Sequence, residues 1–150
     1  AFAGLGAPHW DPDARGAILG LTRGSGRDEI VTATLQSVAY QTRDLIDAMS
    51  DDGLRPKVIR VDGGMVANSW FLQFLADVLD IPVERPKNVE STVLGAAYLA
   101  GYRTGLVKSA GELSTLWQRD EIFEPAMSRE QREHLLQGWQ DAVNRVRTTG

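Results

Sequence analysis

Apolar residues recur at helical spacing along two stretches in the first half of the chain. The first begins at Asp28, which the sequence predicts as a helix N-cap, and stops at Gly53. Its apolar positions are Ile30, Val31, Leu35, Val38, Leu45, Ile46 and Met49. The second follows Asn68 or Ser69, either of which can cap a helix. Its apolar face consists of Phe71, Leu72, Leu75, Val78 and Leu79.

Two further helices are predicted in the second half of the chain. One begins at a capping Ser91 and closes at Gly105, and the small residues in 95–101 predict that it packs closely against a neighbour. The other begins at Ser128, which forms a capping-box pattern with Gln131. Its inner face consists of Leu135, Leu136, Trp139, Val143 and Val146. The segment between these two helices reads as a polar connector.

Short strands are predicted between the helices, at 58–61 and 81–84, with a third at 17–19 inside the loop-rich start of the chain. Pro82 places the strand at 81–84 near a sheet edge or at its own start. Helix-strand alternation predicts an α/β fold with parallel strands joined by right-handed crossovers. So few strands cannot cover the apolar faces of four helices. We therefore expect the remaining strands to come from sequence upstream of Ala1.

Composition narrows the class of protein. Hydrophobic residues make up 43% of the 150 residues and charged residues 24%, as in ordinary globular domains. The net charge of -4 provides no electrostatic footprint for nucleic acid, and no apolar run is long enough to span a bilayer. Cysteine is absent, which excludes disulfides and thiolate chemistry. The first residue is alanine, so we expect this chain to be a piece of a longer one, the parent protein.

The turn at Asp62-Gly63-Gly64 is the first candidate for chemistry. A strand that ends in two glycines and leads to a helix brings backbone N–H groups and a helix N-terminus to one place, where a nucleotide could bind. Asn68 could cap that helix or contact the ligand. The alternative is a plain strand-to-helix turn, for which these residues are ordinary. Neither common glycine-rich phosphate fingerprint is present.

Several motifs in a fixed order along the chain make the functional interpretation of the turn more specific. The segments 2–16, 16–36, 60–68, 84–86 and 94–101 resemble the corresponding motifs of the FGGY carbohydrate kinase family. The likeness extends to about Gly105 and is sparse afterwards. Trp10-Asp11-Pro12 followed by Ala14-Arg15-Gly16 is similar to the glycerol kinases of that family rather than to its xylulose, ribulose or gluconate kinases.

The resemblance implies a ribonuclease-H-like lobe of the actin and hexokinase type, truncated at its N-terminal side. Residues 1–150 would form most of the C-terminal, ATP-binding domain, with the upstream strands and the whole N-terminal domain missing. Gly64 and Asn68 match family positions that contact ATP or ADP, and Gly63 shares the turn. The implied reaction is ATP-dependent phosphorylation of glycerol with Mg²⁺, in a cytoplasmic enzyme that we expect to be a homo-oligomer. Its catalytic base would lie upstream, so the chain alone should be inactive.

The sequence also allows other interpretations. The parent protein could phosphorylate another polyol or a ketose, or this lobe could sense nucleotides without catalysis. Asp11 and Asp13 could form a base or metal pair, but a solvated turn in which each carboxylate accepts backbone N–H bonds is the favoured interpretation. Asp62 could support the turn or reach a metal-bound water.

Overall fold

A computed structural model describes residues 4–109, 111 and 117–148 of the chain, and only the backbone of Ser91. Phe2 and Ala3 of the first motif lie outside the described residues. The longest element is helix α1, Arg27–Asp51. Its N-cap is Gly26 rather than the predicted Asp28, because the Glu29 carboxylate reaches back to accept the Gly26 N–H at 2.8 Å. The predicted stop is confirmed, since Gly53 follows the C-cap residue Asp52 and adopts φ 88°.

The central part of the chain forms the strand-turn-helix unit that the sequence predicts. Strand β1, Ile59–Arg60, leads through a 3-10 turn at Gly64–Ala67 into helix α2, Ser69–Leu79. Strand β2, Val83–Pro86, returns parallel to β1, and Ile59 is paired with Val83. Pro82 therefore immediately precedes the strand, one of the two positions predicted for it.

A third strand lies where the sequence predicts a polar connector. Strand β3, Arg119–Phe123, pairs antiparallel with β2, which gives a sheet of order β1-β2-β3. The sequence does not predict strand β3, because only Phe123 is buried and the three charged residues of the strand lie on exposed surface. The expectation of a purely parallel arrangement is therefore wrong for this edge of the sheet.

The predicted strand at 17–19 is absent, and residues 14–22 form no regular element. No described strand pairs with this segment, and a strand is stable only when its N–H and C=O groups have partners. Its apolar side chains are accordingly exposed, with Ile18 at 59% and Leu21 at 58%.

Helix α3, Ser91–Thr104, ends as predicted at Gly105, which adopts φ 80°. The expectation of close packing around its small residues is not met within the described chain. No described side chain on α3 is buried, and a Cβ at Gly95 would meet nothing within 4 Å. Gly101 contacts only the segment that follows its own helix, where a Cβ would lie 3.3 Å from Val107.

The main core lies where α1 and α2 pack together over the sheet, with the last helix, α4, Arg129–Val146, closing one side. The predicted apolar face of α2 is confirmed, since its five residues are all buried. The predicted cap of α4 is also confirmed, because Ser128 Oγ accepts the Gln131 N–H at 3.2 Å. A smaller cluster of Leu5, Ala14 and Val143 joins the first loop to α4. Among the described residues, no helix is long and apolar enough to cross a membrane.

Candidate functional site

Gly63 occupies the corner between β1 and the 3-10 turn. Its backbone has φ 87° and ψ 178°, a combination that is essentially restricted to glycine. Its N–H donates to the Val89 carbonyl at 3.1 Å, and its own carbonyl accepts the Val66 N–H at 3.2 Å. The chain therefore requires glycine at this position for its own backbone, and the Gly63 N–H is already used.

Gly64 lies beside it under different constraints. It begins the 3-10 turn with no positive φ, and a Cβ built on it would meet nothing within 4 Å. Neither its N–H nor that of Met65 has a hydrogen-bond acceptor among the described residues, and both residues are exposed. The packing of the described chain thus gives no reason for glycine at position 64, and the site presents two unused backbone donors to solvent.

Asn68 closes the turn and begins α2. Its side-chain oxygen accepts the Phe71 N–H at 3.1 Å, so the predicted capping role is confirmed. Its backbone N–H donates to the Met65 carbonyl at 3.1 Å. The side chain is exposed, and its NH₂ group contacts no acceptor in the described part of the chain. One amide can therefore cap the helix with its oxygen and still donate to a ligand with its nitrogen.

Arg85 is the residue at this turn that sequence reasoning missed. It lies on β2, and its guanidinium donates to the Val66 carbonyl at 3.3 Å and to Ser69 Oγ at 3.1 Å. Those two acceptors stand on either side of Asn68. In the sequence, the motif at 84–86 carries only a family resemblance. Nothing in the strand pattern around Arg85 indicates that the Arg85 side chain reaches back to the turn.

The carboxylates near the start of the chain do not form a catalytic or metal pair. Asp11 is fully buried, and its Oδ1 accepts the N–H groups of Asp13 and Ala14, both at 3.1 Å. The predicted backbone bonds are therefore present, but the solvated setting is wrong for Asp11. Thr148 also donates to it, from its N–H at 2.6 Å and its hydroxyl at 2.7 Å. These bonds, led by the Thr148 N–H, lower the pKa of Asp11 to about 2 despite its burial. Asp13 remains exposed.

Asp62 is exposed beside the turn, and its side chain has no ion-pair partner in the described part of the chain. Within residues 4–109, 111 and 117–148, no group of three or more His, Asp or Glu side chains is placed to hold a metal ion. The arrangement thus offers N–H donors and a helix N-terminus, which suit an anionic or polar ligand, rather than a cation site.

Comparison with known proteins gives consistent matches along the chain. The profile of the FGGY family of carbohydrate kinases, C-terminal domain, matches residues 1–104. Over 151 aligned residues, the chain is 59% identical to a glycerol kinase of Ectopseudomonas mendocina, covering 100% of this chain and 30% of that protein. It is 57% identical to a glycerol kinase of Rhodospirillum centenum, covering 99% of this chain and 30% of that protein. The chain therefore spans about a third of the length of these relatives.

The fold can be compared with a solved structure as well. The crystal structure of Plasmodium falciparum glycerol kinase with ADP superposes with a TM-score of 0.82 at 38% identity, covering 97% of this chain and 29% of that one. The prediction of a ribonuclease-H-like lobe of the actin and hexokinase type is confirmed by this likeness together with the mixed α/β sheet.

Proposed function

This chain belongs to the FGGY family of carbohydrate kinases, and on that premise we propose that its parent protein transfers the γ-phosphate of ATP to glycerol. The product would be sn-glycerol 3-phosphate. The present segment supplies the adenosine side of the nucleotide site through Gly63, Gly64 and Asn68. The observation that carries the glycerol assignment is the identity of 54–59% to proteins named glycerol kinase, over nearly the whole chain.

The contribution of the turn follows from its unused donors. The free N–H groups of Gly64 and Met65 and the NH₂ group of Asn68 lie along one 3-10 turn that leads into the N-terminus of α2. Donors in that position suit the polar edge of a nucleotide, and the absence of a Cβ at Gly64 lets the ligand approach the backbone. Gly63 contributes indirectly, because its backbone sets the direction in which the turn leaves β1.

The chemical step belongs to other parts of the parent protein. Transfer to an alcohol needs a carboxylate that accepts the hydroxyl proton and donors that stabilise the transferred phosphoryl group. Of the described carboxylates, Asp62 is the one next to the turn, and it is exposed with no residue that would orient it as a base. We therefore assign binding and orientation of the phosphate donor to this segment, and no proton transfer.

Mg²⁺ is implied by the family resemblance, but the described residues do not provide a site for it. No group of three or more of their acidic or histidine side chains is placed to hold a metal ion. We accordingly assign no residue of this segment to the metal and derive no step through it.

The test uses the full-length parent protein with Gly64→Ala. Because a Cβ at this position meets nothing within 4 Å, the fold should accept alanine, and the methyl group would be felt only by the ligand. We expect the KM for ATP to rise several-fold, with the KM for glycerol unchanged. An unchanged KM for ATP, or equal rises for both substrates, would contradict the assignment of the turn.

The acceptor is tested separately by comparing kcat/KM of the wild-type parent protein on glycerol, xylulose and gluconate. We expect glycerol to be preferred. A higher kcat/KM on either of the other substrates would overturn the glycerol assignment while leaving the nucleotide site intact. ATP binding without turnover on any of them would identify a nucleotide-sensing lobe instead.

A further inference from the structure

The guanidinium of Arg85 connects three elements at once. It lies on β2, and Nη1 reaches the 3-10 turn through the Val66 carbonyl and the start of α2 through Ser69 Oγ. On its other side, Nε donates to Asp120 at 2.9 Å and Nη2 donates to Glu121 at 2.7 Å, both on β3. The Arg85 side chain is 17% exposed. Its guanidinium carbon also lies 5.6 Å from the ring centroid of Phe123.

The two carboxylates fix the orientation of the guanidinium. Bonds to Asp120 and Glu121 hold Nε and Nη2, and the planar group then leaves Nη1 pointing at the turn. A lysine could not do the same, because a single ammonium cannot reach two carboxylates and two turn acceptors in a fixed geometry. The ion pairs with Asp120 and Glu121 on β3 thus orient the guanidinium so that Nη1 points at the turn.

The acceptors of Nη1 lie on either side of Asn68 in the sequence. Val66 lies two residues before Asn68, and Ser69 follows it directly. Within the described chain, no backbone N–H is bonded to the Val66 carbonyl, so Arg85 provides its partner. Removing Arg85 would leave the Val66 carbonyl without this donor and loosen the end of the turn next to Asn68, while Gly63 would still be held by Val89.

We propose that Arg85 is a positioning residue for the nucleotide, holding the Gly64–Asn68 turn in the conformation that binds ATP. This inference rests on the proposed function of the turn. Arg85 acts through Val66 and Ser69 and does not itself touch the ligand. Asp120 and Glu121 contribute to the same positioning, because they orient the Arg85 guanidinium.

A matched control is available on the neighbouring strand. Arg119 lies on β3, and its guanidinium donates to Glu84 at 2.8 Å without any contact to the turn. Arg85→Met and Arg119→Met therefore remove the same charge and the same kind of cross-strand ion pair from the same sheet. Arg85 pairs with two carboxylates and Arg119 with one, and the Arg85 side chain is the more buried, so the melting temperature of each variant is measured beside the KM values. Of the two arginines, Arg85 is the one that contacts the turn.

The experiment measures the KM for ATP, the KM for glycerol, kcat and the melting temperature in the full-length parent protein. For Arg85→Met we expect the KM for ATP to rise by about tenfold, because the turn loses its charge-assisted bonds from Nη1 to the Val66 carbonyl and Ser69 Oγ. The KM for glycerol should stay within about twofold, and Arg119→Met should leave both KM values within about twofold of wild type. Arg85→Lys should recover little of the ATP affinity. Equal effects of Arg85→Met and Arg119→Met on the KM for ATP, or a fall in melting temperature with both KM values unchanged, would overturn the proposal.

A second variant keeps the test decisive if Arg85→Met fails to fold. Ser69→Ala preserves Arg85 and its bonds to β3 but removes one of the two acceptors at the turn. We expect a smaller rise in the KM for ATP, of about threefold, with the KM for glycerol unchanged. An unchanged KM for ATP would count against the proposal.

The Gly64→Ala variant distinguishes the positioning role of Arg85 from the nucleotide assignment of the turn. If Gly64→Ala raises the KM for ATP but Arg85→Met and Ser69→Ala do not, the positioning role alone is wrong. If none of the three does, the nucleotide assignment of the turn is wrong as well.

Discussion

The indole N–H of Trp139 donates to the carboxylate of Asp44 at 2.8 Å, which joins α4 to α1 across 95 positions of sequence. The Trp139 ring also stacks on Tyr40, with centroids 5.4 Å apart, and Tyr40 meets Phe74 of α2 edge-on at 5.6 Å. Burial raises the pKa of Asp44, and the bond from Trp139 partly offsets that effect. Tyr40 thus contacts aromatic rings of both neighbouring helices, and Trp139 supplies the partner of a half-buried carboxylate.

Trp139→Phe is expected to lower the free energy of unfolding by about 1–3 kcal/mol, because the ring stack survives but the Asp44 carboxylate loses a partner. Urea unfolding of the full-length parent protein would measure it. Trp70→Phe is the matched control, since Trp70 stacks on Phe74 at 5.6 Å but is 48% exposed and has no described hydrogen bond. Equal losses in the two variants would show that the bond to Asp44 contributes nothing.

Gly63 and Gly64 should respond differently to alanine. Gly63→Ala places a Cβ in a backbone region that only glycine occupies readily, and it should cost about 1–3 kcal/mol of stability. Gly64→Ala should leave the melting temperature nearly unchanged, because a Cβ there meets nothing within 4 Å. Thermal unfolding of both variants of the parent protein checks the contrast. A large loss of stability in Gly64→Ala would mean that the fold itself requires this glycine.

The two roles of Asn68 can be separated by comparing Asn68→Asp with Asn68→Ala. The aspartate variant would keep an oxygen to cap α2 and lose the NH₂ donor, whereas the alanine variant loses both. We expect Asn68→Ala to lower stability by about 0.5–2 kcal/mol, and Asn68→Asp to preserve it. Both should raise the KM for ATP in the parent protein, Asn68→Asp more strongly because its charge opposes the nucleotide phosphates. A normal KM for ATP in Asn68→Asp would restrict Asn68 to its structural role.

Asp11 should make the protein sensitive to acid. Its pKa in the folded state is lowered to about 2 from 3.8, so its stabilising contribution is fully present above about pH 4 and is lost as the pH falls through 2. Asp11→Asn turns an NH₂ group towards donors and should destabilise the parent protein at pH 7. The difference in urea midpoint between wild type and Asp11→Asn should shrink between pH 4 and pH 2. A difference that is constant over that range would contradict the described bonds to Asp11.

Helix periodicity and capping residues carried most of the information about the fold. The apolar face of α2 and the Ser128 cap of α4 follow from local spacing, so they could be predicted from the sequence. Strand β3 could not, because its two acidic residues, Asp120 and Glu121, pair with Arg85 on β2, which lies 35 and 36 positions away in the sequence. The segment 17–19 shows the opposite error, since an apolar run predicts a strand even where no described strand pairs with it.

At the candidate site, the sequence predicted the turn itself but not the different constraints on its residues. Gly63 and Gly64 are adjacent and chemically identical, and only the backbone angles show that the first is required by the chain while the second is not. The contacts of Arg85 with the turn could not be predicted from the sequence for a similar reason. Its contacts with Val66 and Ser69 depend on the way β2 lies against the turn, which no local pattern encodes.

The two bonds from Thr148 to Asp11 also bear on the order of events at the ribosome. Synthesis proceeds from the N-terminus, so Asp11 is made 137 residues before the group that completes its hydrogen bonding. Until then its carboxylate has the N–H groups of Asp13 and Ala14 but lacks both donors of Thr148. The complete set of hydrogen bonds to Asp11 can therefore form only after Thr148 has left the exit tunnel.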